Sequence, residues 1–224
     1  AQGYETVTDP SVFVRFPVTS GELAALNASL LVWTTTPWTL VSNTAVAVHP
    51  EVEYVAIEVT AEENTEVLVV AQNLIETVKG EKKILKTMLG KELERVTYKR
   101  PFDYIEIPDA HYVVLATYVT TEDGTGLVHQ APAFGADDLA VCRSYGLPVV
   151  NPIAPDGHFL ADIAVLGQHV DEVRERAPGV SDVHGPIARV VLDLALRQVR
   201  VRFPEGATDF ALGGVGHFDF LASS

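Results

Sequence analysis

Residues 33–43 read W-T-T-T-P-W-T-L-V-S-N, a run of three threonines that ends at a proline. β-Branched residues suit the pleated surface of a strand, so Thr34 to Thr36 can end a strand that starts near Ser29. Pro37 cannot donate a backbone hydrogen bond to a sheet and therefore stops that strand. Three adjacent hydroxyls can also each donate and accept a hydrogen bond, which suits a binding site. Residue types alone leave both interpretations open.

Short strands flank this stretch on both sides, with few helices between them. Val12, Val14 and Phe16 recur at every second position, which predicts a half-buried strand. The whole pattern predicts an α/β (mixed) fold with a β-barrel-like core of short strands and flanking short helices. Further strands are predicted at 44–48, 52–59, 66–70, 112–118, 126–129 and 148–150, and helices at 19–26, 71–78 and 136–145, the last ending at Gly146.

A soft boundary near residue 166 divides the chain. Residues 1–166 carry the strand pattern and are predicted to form one domain, and 224 residues in all are enough to bury a proper core. Residues 167–224 contain two helix-like segments and a Gly-rich end. They are expected to form a C-terminal tail whose structure the pattern does not define.

The composition limits the classes of function. The formal net charge is -14, from 16 basic and 30 acidic residues, so the surface as a whole repels phosphate backbones. A short single-stranded end can still bind in a local pocket. The single cysteine and the lack of a signal peptide or a long apolar run predict a cytoplasmic protein with no membrane partner.

A second dense stretch, G-T-G-L-V-H-Q-A-P-A-F-G-A-D-D, covers residues 124–138. A predicted strand delivers His129 at its end, and a Pro/Gly loop leads into a helix that opens with Asp137 and Asp138. Acidic residues in a first turn commonly cap a helix or offset its dipole. A carboxylate at the edge of a pocket can instead bind an ammonium group through a charge-assisted hydrogen bond. A histidine in such a loop-rich setting suits a pocket wall.

Several common kinds of catalytic centre are not supported. The histidines have no regular spacing and no H-E-x-x-H occurs, so no metal is expected. Neither a G-x-S-x-G nucleophile nor a phosphate-binding G-x-x-x-x-G-K-[ST] loop is present, and no cofactor is expected. Cys142 falls inside a predicted helix, where burial is the default for a cysteine.

Together, W-T-T-T-P-W-T-L at 33–40 with Asn43, and G-T-G-L-V-H-Q-A-P-A-F-G-A-D-D-L at 124–139, resemble the editing domain of isoleucyl-tRNA synthetase. This domain is the large connective insertion in a class I aminoacyl-tRNA synthetase. The resemblance runs from about residue 12 to about residue 160. The adenylate-forming signatures of the H-I-G-H and K-M-S-K-S types are absent, so the chain resembles an excised editing module or a free-standing relative.

The resemblance implies hydrolysis of valine wrongly esterified to the isoleucine tRNA, with water attacking the aminoacyl ester. Its implied partners are the 3'-terminal aminoacylated adenosine, the valine moiety and the rest of a synthetase. By the family pattern His129 forms the wall that rejects isoleucine, and Asp138 holds the substrate ammonium. The implied catalytic residues are Thr35, Thr36 and Asp138, and the implied substrate-binding residues are Thr34, Trp38, Thr39, Asn43, His129 and Asp138.

Two other classes of function stay open. One is an inactive or weak module that binds the aminoacyl-tRNA 3' end without turnover, and intact threonines and Asp138 favour the enzyme over it. The other is an unrelated β-rich esterase, which would need a nucleophile or a metal that the sequence does not offer. Hydrolysis of valyl-tRNA by the chain distinguishes the enzyme from the binding module.

Overall fold

The computed structural model describes residues 11–61 and 64–153, with the side chain of Trp38 excepted. The predicted tail at 167–224 and the boundary near residue 166 lie outside the described residues. In the described part, no helix has both the length and the apolar character needed to cross a membrane.

Eight strands, two α-helices and three 3₁₀ helices make up the described residues. The 3₁₀ helices are Pro37–Ser42, Gln72–Thr77 and Gly90–Leu93, and the α-helices are α1 (Gly21–Ala25) and α2 (Ala136–Ser144). The strands are β1 (Val12–Pro17), β2 (Ala28–Thr34), β3 (Ala45–Val48), β4 (Glu53–Ala61), β5 (Asn64–Ala71), β6 (Glu81–Leu89), β7 (Tyr112–Leu115) and β8 (Leu127–Gln130).

The strands form two sheets. The larger has the order β1-β2-β5-β4-β6, in which only the β2–β5 pair is parallel. The smaller has the order β7-β3-β8, with β3 parallel to β7 and antiparallel to β8. The β3–β8 register places Val46 opposite His129. Strand β8 belongs to the stretch at 124–138, and β3 directly follows the stretch at 33–43. The β3–β8 pairing therefore brings the two stretches close together.

Alternating burial explains how the sheets stack. In β4, Tyr54 and Ala56 belong to the central core, whereas Val55 and Ile57 face a second core with the segment around 3₁₀ helix Gln72–Thr77. In β3, valines point into the central core and alanines face a third core that includes Cys142 of α2. Each fully buried aliphatic side chain stabilises the fold by about 1.5–3 kcal/mol. The two sheets therefore pack face to face, with helices covering their outer faces.

Residues 97 and 98 link the edges of the two sheets. Val18, just after β1, forms a bridge with Tyr98, and Thr97 forms a bridge with Tyr112 of β7. At the same time β2 lies in contact with β8. The two sheets thus approach a barrel, but within the described residues they remain two separate sheets.

Most of the predicted elements are confirmed. The mixed α/β class, the short strands and the helix ending at Gly146 are as expected. Gly146 has a φ of 70°, and Leu147 N–H bonds the Cys142 carbonyl at 2.9 Å, which is a Schellman C-cap. The predicted helix at 71–78 is a 3₁₀ helix instead.

Two details of the strand assignment were wrong. Residues 148–150 form no strand, because the chain leaves the helix cap at Leu147 and Pro148 offers no donor to a sheet. Strand β6 was not predicted, although it pairs along β4. It carries Lys82, Lys83 and Lys86, and such charged residues are typical of an edge strand rather than a core strand.

Candidate functional site

The threonine run forms the turn that leaves β2. Thr34 is the last residue of the strand and is buried, whereas Thr35 and Thr36 are exposed. The Thr34 hydroxyl oxygen accepts the Thr36 backbone N–H at 3.0 Å and lies 3.2 Å from the Thr36 hydroxyl. A threonine side chain that bonds the backbone two residues later replaces a sheet contact with a turn. The same turn therefore ends the strand and exposes Thr35 and Thr36.

The next element, 3₁₀ helix Pro37–Ser42, turns Thr39 back toward this run. Proline suits the first helical position because its missing N–H would have no partner there. The Thr39 hydroxyl donates to the Thr36 carbonyl at 2.8 Å, and the Thr39 N–H bonds the same oxygen at 3.1 Å. Thr39 is buried, so these two bonds hold the Thr36 backbone against the protein interior.

His129 of β8 joins the same cluster. Its Nε2 lies 2.7 Å from the Thr39 hydroxyl, and its Nδ1 lies 3.4 Å from the Asn43 side-chain nitrogen. The Asn43 amide also donates to the Ala45 carbonyl at 3.0 Å. Both partners come from residues 39–43, so the register of β3 against β8 is what brings the two sequence stretches together. We call Thr34, Thr36, Thr39, Asn43 and His129 the threonine–histidine cluster.

The partners of His129 select one tautomer. The Thr39 hydroxyl has one proton, which goes to the Thr36 carbonyl, so its oxygen accepts from His129 Nε2–H. The Asn43 NH₂ group can only donate, so His129 Nδ1 accepts. Burial lowers the pKa of His129 to about 4. The ring is therefore neutral near pH 7 and held at both nitrogens.

Asp138 lies in the first turn of α2 and reaches back to the end of β8. Its Oδ2 accepts the backbone N–H of Ala131 at 2.8 Å. The side chain also covers Gly135, where an added Cβ would meet the Asp138 carboxyl carbon at 3.1 Å. Burial raises the pKa of Asp138 above its usual value, and the charge of the neighbouring Asp137 acts in the same direction. Asp137 itself is exposed.

Two polar side chains continue this arrangement between His129 and Asp138. Gln130 is fully buried, and its amide oxygen accepts the Tyr118 hydroxyl at 2.8 Å. Burial raises the pKa of Tyr118, and the charge of Asp138 acts in the same direction, so the hydroxyl keeps its proton. Asp138 accepts the Ala131 N–H, and none of the ion pairs among residues 11–61 and 64–153 includes this carboxylate.

Within the described residues, neither Cys142 nor a cluster of metal-binding side chains offers a catalytic centre. Cys142 is buried, and burial raises the pKa of its thiol to about 12, so the reactive thiolate is not available near neutral pH. Among residues 11–61 and 64–153, no set of three or more histidine, cysteine or acidic side chains is placed to hold a metal ion. The hydroxyls and the carboxylate of this site can form hydrogen bonds to a small molecule or a water.

The family model described as "Leucyl-tRNA synthetase, editing domain" matches residues 12–174, well over half of the chain. The chain belongs to the editing-domain family of class I aminoacyl-tRNA synthetases. Its threonine–histidine cluster and Asp138 both lie inside the matched region.

Sequence relatives of this editing domain are isoleucine–tRNA ligases. The enzyme of Streptomyces coelicolor is 62% identical over 170 residues, which are 75% of this chain and 16% of the relative. That of Thermobifida fusca is 60% identical over 180 residues, 79% of this chain and 16% of the relative. That of Thermus thermophilus is 47% identical over 164 residues, 72% of this chain and 15% of the relative. The editing domain therefore spans about a sixth of the length of these ligases.

A solved structure shares the fold of the editing domain. "The crystal structure of GlLeuRS-CP1" superposes with a TM-score of 0.56 at 18% sequence identity. The match covers 84% of this chain and 97% of that one. At this identity the likeness supports the fold alone, and it agrees with the two-sheet architecture described above.

The structure brings most of the predicted site residues of the editing domain together. Thr34, Thr36, Thr39, Asn43 and His129 form one hydrogen-bonded cluster, and Asp138 is tied to the end of β8. Thr35 is exposed and makes no side-chain hydrogen bond within the described part of the chain. The side chain of Trp38 lies outside the described residues, so its predicted role stays a prediction.

Sequence reasoning missed Tyr98, Tyr118 and Gln130. Gln130 could have been noticed because it directly follows His129 in an otherwise apolar strand. Tyr98 lies far from both dense stretches and Tyr118 lies six residues before the second, and nothing in their local pattern distinguishes them from core tyrosines. Only the fold brings their hydroxyls to the site.

Proposed function

We propose that this chain is a proofreading hydrolase that removes valine wrongly esterified to the isoleucine tRNA, with water attacking the aminoacyl ester. The observation that carries the proposal is the threonine–histidine cluster, which connects the exposed Thr36, through Thr39, to a rigid neutral histidine in an editing domain. An aminoacyl ester is already activated, so positioning of water can replace a protein nucleophile. This fits a site without a reactive thiol.

Selectivity is assigned to His129. Isoleucine and valine differ by one methylene, which is worth only about 1–3 kcal/mol in one binding pocket, so a second pocket must reject the larger side chain. A wall can reject a methylene only if it does not yield. His129 is buried and held through Nε2 and Nδ1, so its ring has little freedom to move aside.

Asp138 is assigned to the substrate ammonium. One of its oxygens, Oδ2, accepts the Ala131 N–H, and a carboxylate has further acceptor positions on both oxygens. Burial raises its pKa, which means that its charge is poorly compensated without a cation. A bound α-ammonium group would supply that compensation.

The threonines are given two kinds of role. Thr34, Thr39 and Asn43 are buried. Thr34 and Thr39 both bond Thr36, and Asn43 bonds the Ala45 carbonyl, so these side chains support the site. They contact the terminal adenosine only where their polar groups reach the edge of the site. Thr35 and Thr36 are exposed, and we assign the attacking water to their hydroxyls. Trp38 is proposed to contact the adenosine.

The partners follow from the chemistry of the substrate. The site would take the 3'-terminal adenosine of the isoleucine tRNA with valine attached, in the cytoplasm. The chain carries a net charge of -14, which opposes wide contact with a polyanion. We therefore propose that the rest of a synthetase supplies most of the affinity for tRNA.

The Asp138→Asn variant tests the ammonium role. Asparagine keeps an oxygen for the Ala131 N–H but removes the charge, so the loop should stay in place. A hydrogen bond to a charged group is worth about 1.5–3 kcal/mol, so kcat/KM for valyl-tRNA hydrolysis should fall about 10- to 100-fold. Deacylation is followed with labelled valine, and the free energy of unfolding is measured alongside.

Two results would contradict this assignment. If Asp138→Asn hydrolyses valyl-tRNA as fast as the wild type, Asp138 only anchors the loop through Ala131. If the wild type binds valyl-tRNA but releases no valine, the chain is a binding module without turnover. Asp137→Asn is the matched control, because Asp137 is exposed and should leave the rate unchanged.

A further inference from the structure

Tyr98 occupies the point where the edges of the two sheets meet. Its backbone forms the bridge to Val18, and its N–H bonds the His111 carbonyl at 3.1 Å. The ring packs edge-on against Phe16 with centroids 5.2 Å apart. Only 4% of the residue is exposed, so its hydroxyl needs a partner inside the protein.

That partner is the side chain of Asn43. The Tyr98 hydroxyl lies 2.7 Å from Asn43 Oδ1, and because an amide oxygen can only accept, Tyr98 donates. Burial raises the pKa of Tyr98 well above its usual value, so the donor proton is always present. On the other side, Asn43 Nδ2 donates to the Ala45 carbonyl at 3.0 Å. These two contacts leave the amide only one orientation.

The orientation of Asn43 is passed on to His129. With Oδ1 facing Tyr98, the NH₂ group faces His129 Nδ1 at 3.4 Å, and that nitrogen must be an acceptor. The proton then sits on Nε2 and points at the Thr39 hydroxyl, 2.7 Å away. In each hydrogen bond from Tyr98 through Asn43 and His129 to Thr39, the donor and the acceptor are thus defined.

We propose that Tyr98 is a positioning residue of this site, whose hydroxyl fixes the Asn43 amide and thereby the tautomer and ring orientation of His129. Its effect on aminoacyl selection rests on the proposed proofreading function. Its effect on the His129 tautomer does not. Tyr98 acts through Asn43 and needs no contact with the substrate.

The test is the Tyr98→Phe variant of the 224-residue chain, read out by the nitrogen resonances of His129 in ¹⁵N-labelled protein. In the wild type we expect Nε2 in the protonated range and Nδ1 in the unprotonated range. Losing one buried hydrogen bond should lower the ratio of the Nε2–H to the Nδ1–H tautomer about fivefold. The ratio of valine to isoleucine release from tRNA should fall by a similar factor.

Tyr54→Phe is the matched control. Tyr54 is also buried, and its hydroxyl donates to the Gly126 carbonyl at 2.7 Å rather than to Asn43 or His129. It should lose stability like Tyr98→Phe and leave both ratios unchanged. Asn43→Asp is a second variant that presents only acceptors to His129 and should place a proton on Nδ1.

The two readouts separate the possible failures. A folded Tyr98→Phe variant with wild-type His129 resonances would overturn the positioning role, and so would an equal shift in Tyr54→Phe. Unprotonated Nδ1 in Asn43→Asp would overturn it as well. If the wild type releases no valine while the His129 tautomer still responds to Tyr98→Phe, the proofreading function fails and the positioning role stands.

Discussion

At the scale of single residues, His129 combines burial with a full set of hydrogen bonds. Both ring nitrogens are engaged, yet neither partner is a carboxylate. A charged imidazolium would lose the acceptor at Nδ1, and it would be buried without a counter-ion. The residue is therefore built to stay neutral, which suits a rigid wall and not an acid catalyst.

This neutrality predicts a dependence of stability on pH. The pKa of His129 is lowered from 6.5 to about 4 in the folded state, so its stabilising effect is complete above pH 6.5 and is lost as the pH falls toward 4. Between about pH 7.5 and about pH 5, the free energy of unfolding should lose about 2 kcal/mol through this residue. His129→Gln removes the titration, so its loss over the same interval should be smaller by that amount.

Urea unfolding at the two pH values measures the difference. His111 has a pKa lowered to about 4 as well, mainly through burial, but it is present in both proteins and cancels. Equal losses in the wild type and His129→Gln would show that His129 titrates alike in the folded and unfolded states. It would then not be a buried neutral ring.

At the scale of elements, the loop before β8 depends on Gly126. Its φ is 73°, and a Cβ there would lie 2.5 Å from the Ala71 Cβ at the end of β5. The Gly126 carbonyl accepts the Tyr54 hydroxyl, so the backbone cannot simply move away. This close approach of β5 and β8 holds the strand that carries His129.

Gly126→Ala should therefore destabilise the protein by about 2–5 kcal/mol, from left-handed backbone strain and overpacking together. Gly146→Ala is the control, because Gly146 has a φ of 70° with no atom within 4 Å of an added Cβ. Its cost should be limited to about 1–2 kcal/mol of backbone strain. Chemical denaturation measures both, and equal costs would show that the Ala71 contact does not matter.

The element scale also shows how far sequence patterns reach. The three threonines and Pro37 correctly predicted a strand end, because β-branched preference and a missing donor act within a few residues. The strand predicted at 148–150 was wrong, since a strand needs a partner and local apolar character does not provide one. Pairing is a non-local property, and for the same reason β6 was missed.

The same division holds for the candidate site of the whole molecule. Thr39, Asn43 and His129 stood out from their two dense stretches, and the β3–β8 register brings them into contact. Tyr98 reaches Asn43 across 55 positions of sequence, through a junction of two sheets. No local pattern could reveal it. Sequence motifs located the residues of the two dense stretches, and the fold brings Tyr98 against them.

At the whole-molecule scale, the two stacked sheets place a rigid histidine, exposed threonines and a half-buried carboxylate in one domain. The cysteine among its described residues, Cys142, is buried. Under the proposed function, this site selects the aminoacyl group by size and water attacks the ester. Size selection and hydrolysis are both measured by which amino acid is released from the tRNA.

The most direct measurement is the rate at which the 224-residue chain releases labelled valine and labelled isoleucine from the isoleucine tRNA under identical conditions. A methylene rejected by a rigid wall predicts that valine leaves about 10- to 200-fold faster than isoleucine. Release of both at the same rate, or of neither above the rate without protein, would contradict hydrolytic proofreading by this chain.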